Sequence, residues 1–176
     1  MKKVVLMLVV ALSVVTASAQ IKLGVNGGLQ VPTEKDAKTL LGGGISGEYF
    51  LAQNISAGLN FGYYFHSESG ASVYLMPVTL GGKYYFLNED IKVYGGLDLG
   101  LYTLGFKTPK ISIGGIDFPS TSVSDSYFGL APVVGLQFKL TDTLALDVNT
   151  KYNLIFSDGD STGFIGFNVG IVYTLK

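Results

Sequence analysis

The chain has no cysteine and no tryptophan, its basic side chains are all lysine, and it holds a single histidine. Without cysteine there is no disulfide, no thiolate nucleophile and no thiol for lipid attachment. Without arginine the planar fork that grips phosphate is missing. The formal net charge is −1 and the lysines form no basic stripe, so nothing recommends a nucleic-acid partner. Long apolar runs are also scarce: beyond the N-terminus none approaches the roughly 20 residues that a membrane-crossing helix needs. Yet 48% of the residues are hydrophobic. High apolar content without a spanning helix suits a barrel in which only alternate residues meet lipid.

The N-terminus is organised differently from the rest. Lys2 and Lys3 precede an apolar run from Val4 to Val15, and Ala17-Ser18-Ala19 supplies small residues at cleavage positions. These are the three parts of a secretory signal peptide, which places residues 1–19 in the signal and residues 20–176 in one mature domain.

In the mature chain the side chains alternate. From Leu144 to Leu154 every even position except Thr150 is apolar or aromatic, while the odd positions carry Asp147, Asn149, Lys151 and Asn153. After the polar break at 157–161 the pattern returns as Ile165, Phe167, Val169, Ile171, Tyr173 and Leu175. Successive side chains on a strand point to opposite faces, so this is a hairpin with one apolar and one polar side. The same alternation predicts strands over 21–31, 41–51, 55–65, 73–87, 91–106 and 127–140. Pro77 marks a bulge or break in the fourth. Residues 33–38 form a polar connection, either a loop or one helical turn capped by Thr33. Residues 111–118 suggest a small hairpin around Gly114-Gly115.

Eight strands of about ten residues match the length of a tilted membrane strand, about 9–11 residues, better than the globular average of about 5–6. The expected fold is all-β, an eight-stranded antiparallel up-and-down transmembrane barrel. Its connections are expected to alternate long and short, with long loops on one rim and tight turns on the other. Tyr49, Tyr84, Phe86, Phe138 and Tyr173 gather toward the turn rim, and Tyr63, Phe65, Tyr74, Phe128 and Phe156 toward the loop rim, as two interfacial girdles.

With this pattern the chain resembles the small outer-membrane β-barrel proteins of Gram-negative bacteria, the porin-like and OmpA/OmpX-type eight-stranded families. The resemblance covers the whole mature chain and implies residence in the outer membrane, contact with its lipid, and delivery by the barrel-insertion machinery. Such families usually end on an aromatic residue. Here the end is Val172-Tyr173-Thr174-Leu175-Lys176, and Tyr173 would take that place.

An eight-stranded barrel is just wide enough for side chains to fill, so no open pore is expected. Alternation sends Glu48, Lys83, Asp98, Asp147, Asn149 and Lys151 into the interior, with Asn60, Gln137, Asn153 and Asn168. Buried charges of mixed sign must be paired, and a structural ion-pair network is the expectation, ahead of a proton path or ligand site. His66-Ser67-Glu68 holds the residue types of a hydrolase triad, but neighbours on a strand point to opposite faces and cannot form one. Neither a metal-ligand cluster nor a phosphate-binding loop follows from the pattern, so no catalytic residue, metal or cofactor is expected. The expected role is non-enzymatic, structural or in surface interaction, and the loop between Lys107 and Ser126 is the candidate place for an extracellular ligand. Two alternatives stand beside it: an outer-membrane enzyme acting on envelope lipid, and a soluble secreted lipocalin-like barrel with its apolar parity inward.

Overall fold

A computed structural model describes residues 20–68, 70–86, 90–108, 111–113, 116–118, 120–157 and 159–175. The signal segment 1–19, the Gly114-Gly115 turn and residues 87–89 lie outside the described residues. Eight strands close into one barrel: β1 (Ile21–Pro32), β2 (Leu40–Ala52), β3 (Ile55–Glu68), β4 (Ala71–Tyr85), β5 (Ile91–Lys107), β8 (Ser122–Lys139), β9 (Leu144–Ser157) and β10 (Asp160–Leu175). A two-stranded hairpin, β6 (Ile111–Ile113) with β7 (Ile116–Phe118), is inserted between β5 and β8. Every barrel strand runs antiparallel to its neighbours, and β1 pairs with β10 from Ile21↔Leu175 to Pro32↔Phe164. Closure removes the free edges that lipid cannot hydrate. No described helix is long and apolar enough to cross a membrane.

The two parities separate as the alternation requires. Val25, Leu59 and Leu80 point outward and stay 60%, 64% and 61% exposed, whereas Lys22, Gln30, Asp98 and Gln137 point inward and are buried. A lipocalin-like barrel would have the opposite arrangement, so the soluble alternative fails on this inversion. Thr150, the exception in the outward pattern of β9, donates its hydroxyl to the Gly166 carbonyl at 3.0 Å and so offers lipid no free donor. Aromatic rings pack against each other near both rims: Tyr84 meets Phe86 edge to face at 5.1 Å on the turn side, and Tyr63 stacks on Tyr74 at 5.8 Å on the loop side.

Proline is accommodated without a change of register. Pro77 sits between the pairs Phe61↔Val78 and Tyr64↔Leu75, where the β3–β4 ladder skips two residues and resumes in step. Pro132 does the same between Leu130↔Leu154 and Val133↔Lys151 on the β9 side. The register shift lies elsewhere, between Phe50 and Ala52, just before the Gln53–Asn54 turn. Residues 33–38 form no helical turn. Thr33 is tied to β10 instead, its amide donating to Gly163 O at 2.9 Å, and Asp36 takes a left-handed φ of 66°.

The expected alternation of long and short connections does not hold. The three turn-side connections are short, but two of the four on the other rim are equally tight, spanning only 69–70 and 158–159. Gly70 and Gly159 occupy them with φ of 83° and 91°. The polar residues assigned to loops instead extend the strands past the membrane: His66, Ser67 and Glu68 pair with Val73, Ser72 and Ala71. β8 likewise begins at Ser122 rather than Tyr127, because Ser122 to Ser126 pair with Lys107 to Thr103 of β5. Both faces of a strand in water are wet, so alternation is lost there although pairing continues.

The separation of faces predicts unequal costs at two adjacent residues. Val148 faces outward and Asn149 inward. Val148→Lys near mid-membrane should cost about 2–4 kcal/mol in urea unfolding from lipid vesicles. Asn149→Lys, beside Asp147, should cost less. A lipid-soluble quencher should reach a spin label at position 148 and spare one at 149; equal quenching would refute the assignment of faces.

Candidate functional site: the polar lumen

The inward parity of the strands builds a layered interior. Toward the loop rim Leu40, Tyr64, Leu75, Tyr102, Ile155 and Phe164 form one buried apolar layer. Toward the turn rim Phe50, Tyr85, Tyr94 and Val133 form a second. Inward glycines provide the room for the large rings: a methyl on Gly135 would overlap the Tyr94 ring, and one on Gly129 would stand 2.8 Å from the ring of Tyr102.

The structure brings the interior charges into two ion pairs and one mixed cluster. Lys83 Nζ donates to Glu48 Oε2 at 2.9 Å, and Lys151 Nζ pairs with Asp98 Oδ2. Both pairs skip a strand. Lys83 of β4 and Glu48 of β2 meet over β3, where their ladder partners are Ser56 and Gly58; Lys151 of β9 and Asp98 of β5 meet over β8, where Asp98 faces Ala131. Ser56 and Gly58 leave the first path clear, and Ala131 keeps the second open on the Asp98 side, where Lys151 has Val133 as its own ladder partner. Glu48 also accepts hydrogen bonds from the Ser56 hydroxyl and, at 2.6 Å, from the Tyr85 hydroxyl.

Asp147 is held differently, with no described ammonium in contact. It accepts from the Tyr94 hydroxyl at 3.0 Å, Gln137 Nε2 at 2.9 Å and Asn149 Nδ2 at 2.6 Å. Lys22 Nζ donates to the other end of the same amide, Gln137 Oε1, at 2.8 Å, and lies 4.7 and 4.8 Å from the ring centres of Phe50 and Tyr85. Gln137 thus bridges a buried ammonium to a buried carboxylate. Asn149 Oδ1 accepts from Asn168, whose own carbonyl accepts from the Tyr64 hydroxyl at 2.9 Å. Through Gln137 Nε2 and Tyr85, 3.4 Å apart, the Glu48 and Asp147 clusters join into one network with members on all eight barrel strands. A further group links Tyr102, Asn153 and Gln30.

All six residues expected to form the interior network, Glu48, Lys83, Asp98, Asp147, Asn149 and Lys151, occupy the inward parity, with Asn60, Gln137, Asn153 and Asn168. The network expected from the sequence left out Lys22 and the phenols of Tyr64, Tyr85, Tyr94 and Tyr102, which share its parity. Their parity was the available signal. A cavity of about 60 Å³ remains among these side chains.

The rim residues do not assemble a hydrolase triad. His66 Nε2 lies 3.8 Å from Glu68 Oε2, which also sits 3.5 Å from Lys38 Nζ. The Ser67 hydroxyl donates to Ala71 O at 3.3 Å and accepts from the Ser72 hydroxyl at 3.0 Å, on the other face of the strand. Among the described residues no group of three or more His, Asp or Glu side chains is placed to hold a metal ion.

Comparison with known proteins supports the architecture. The outer membrane protein beta-barrel domain family matches residues 4–174. Among solved structures the chain is similar to Neisserial surface protein A, with a TM-score of 0.66 and 16% identity over 88% of this chain and 96% of that one. It is similar to Ail, the attachment invasion locus protein of Yersinia pestis, with a TM-score of 0.57 and 22% identity over 89% and 97%. It also resembles the outer membrane protein OprG of Pseudomonas aeruginosa, with a TM-score of 0.54 and 16% identity over 90% and 96%. No curated protein sequence matches the chain.

The skip-strand pairs predict a difference between single and double substitutions. Glu48→Leu leaves the Lys83 ammonium without its carboxylate and should cost about 3–5 kcal/mol of stability. Adding Lys83→Met removes the stranded charge and should recover part of that loss in urea unfolding from vesicles. A double variant no more stable than Glu48→Leu alone would show that the pair does not act as a unit.

Proposed function

Because the chain belongs to the outer membrane protein β-barrel family, we propose that it is a non-enzymatic resident of that membrane, with a closed interior and a surface-interaction role at its loop rim. The observation that carries the closed interior is the filling of the lumen: two apolar layers flank a network that engages every barrel strand and leaves a cavity of about 60 Å³. Buried ion pairs that hold one another are a poor path for hydrated ions.

Two features favour a structural and surface role over lipid hydrolysis. His66 and Ser67 face different ways, so no nucleophile stands beside the base. The loop rim instead presents extended strands: Ser122 to Tyr127 of β8 pair with β5 on one side, while the ladder with β9 begins only at Phe128↔Phe156. A strand in water with one open edge is a template for pairing with an extended segment of a partner. This supports the stretch between Lys107 and Ser126 as the place for an extracellular ligand.

The remaining partners follow from the same reading. Residues 1–19 act as a signal removed before Gln20, outer-membrane lipid covers the apolar face, and the insertion machinery reads the last strand through Tyr173. The turn rim faces the periplasm.

Two measurements test the proposal. Purified protein in planar bilayers should give no large, stable conductance steps, and reproducible openings would overturn the closed interior. A peptide tag inserted at Gly114 should be labelled on intact cells while one at Asp142 is not. Labelling at Asp142 would invert the orientation.

A further inference from the structure

We propose that the central cavity is a blind chamber for water-sized hydrogen-bond donors, entered only from the turn rim and closed there by the Lys22 side chain. This rests on the closed-interior reading and adds a site and an entrance to it.

The chamber has a chemistry of its own. Asn26 and Asp98 line the cavity, and the Oδ1 atom of each is buried and accepts no hydrogen bond from a described protein group. A buried acceptor without a donor is costly, so these two oxygens select a small ligand that carries N–H or O–H groups. At about 60 Å³ the cavity exceeds the roughly 10–15 Å³ that one water needs in the same measure. The apolar layer of Leu40, Tyr64, Leu75, Tyr102, Ile155 and Phe164 stands between it and the loop rim, and no member is more than 7% exposed.

The other end carries a buried layer too, Phe50, Tyr85, Tyr94 and Val133, but Lys22 runs past its Phe50 and Tyr85 rings and is the part of that closure that can move. A second cavity of about 320 Å³ opens at the turn rim, bordered by Lys92, Lys139, Thr143 and Thr174. Lys22 is the one described residue that borders both cavities. It is also the least firmly held of the interior lysines. Lys83 and Lys151 each touch a carboxylate, whereas the Lys22 ammonium has one hydrogen bond, to the neutral amide of Gln137, and two aromatic rings beside it. Moving Lys22 toward the wide turn-side cavity breaks that single hydrogen bond and joins the two spaces.

The absence of cysteine makes the test clean. Ser46 lines the chamber, and Ser46→Cys places one thiol there with little change of shape. Its reaction with silver ion is followed by mass spectrometry in folded protein, with folding verified by heat-dependent gel mobility. The thiol should react slowly with Lys22 in place. In Lys22→Ala the rate should rise by about tenfold or more, the scale set by loss of one charge-assisted hydrogen bond. Gln137→Leu, which keeps the lysine but removes its acceptor, should move the rate the same way and serves if Lys22→Ala does not fold. Adding Ala145→Trp, which fills the turn-side cavity, should return the rate to the slow value. A fast thiol in the Ser46→Cys parent, a rate insensitive to Lys22 and Gln137, or a rate in Lys22→Ala untouched by Ala145→Trp would overturn the door. Conductance steps, by contrast, would remove the closed interior itself.

Discussion

A charge taken out of water must find a partner or become neutral, and among the described residues this barrel places the ammonium groups of Lys22, Lys83 and Lys151 and the carboxylates of Glu48, Asp98 and Asp147 in its interior. Lys83 and Glu48 answer the demand directly, as do Lys151 and Asp98. Lys22 and Asp147 answer it through the two ends of the Gln137 amide. Each solution needs residues from strands that are not ladder neighbours, so the polar interior ties together strands that the backbone alone would leave independent. The rings of Tyr85 and Tyr94 fit the same scheme: each carries a hydroxyl to a carboxylate while its body helps to fill the turn-side layer.

The outer face obeys the opposite demand. Lipid offers no hydrogen bonds, so every outward group must be apolar or satisfied within the protein. Thr150 meets this with a bond to a backbone carbonyl. The two proline interruptions meet it by removing a donor where the ladder skips. Pro132 lies on the outward parity opposite Leu97 and Pro77 lines the interior, so the same backbone solution serves both faces.

The parity of the strands was legible in the sequence wherever one face met lipid and the other the lumen, because a period of two has only one way to satisfy both. Where both faces meet water the signal vanished: Ser122 to Ser126 read as loop although they extend β8, and His66 to Glu68 read as loop although they extend β3. Inward placement of Glu48, Lys83, Asp98, Asp147, Asn149 and Lys151 followed from parity alone. Their pairing did not, because which lysine reaches which carboxylate depends on the register across an intervening strand. Lys22 escaped notice for a related reason: its partner is an uncharged amide 115 positions away, and no local pattern announces such a contact.

The seam between β1 and β10 bears on how the barrel is made. Twelve residues of the first strand find their partners in the last, with Ile21 opposite Leu175. Contacts between the two ends of a chain close the longest loop available and carry its full entropy cost, so they form late. Until they do, both terminal strands present open edges. Assembly therefore favours all or nothing: losing either terminal strand would open the ring and leave two strands with unpaired edges in lipid.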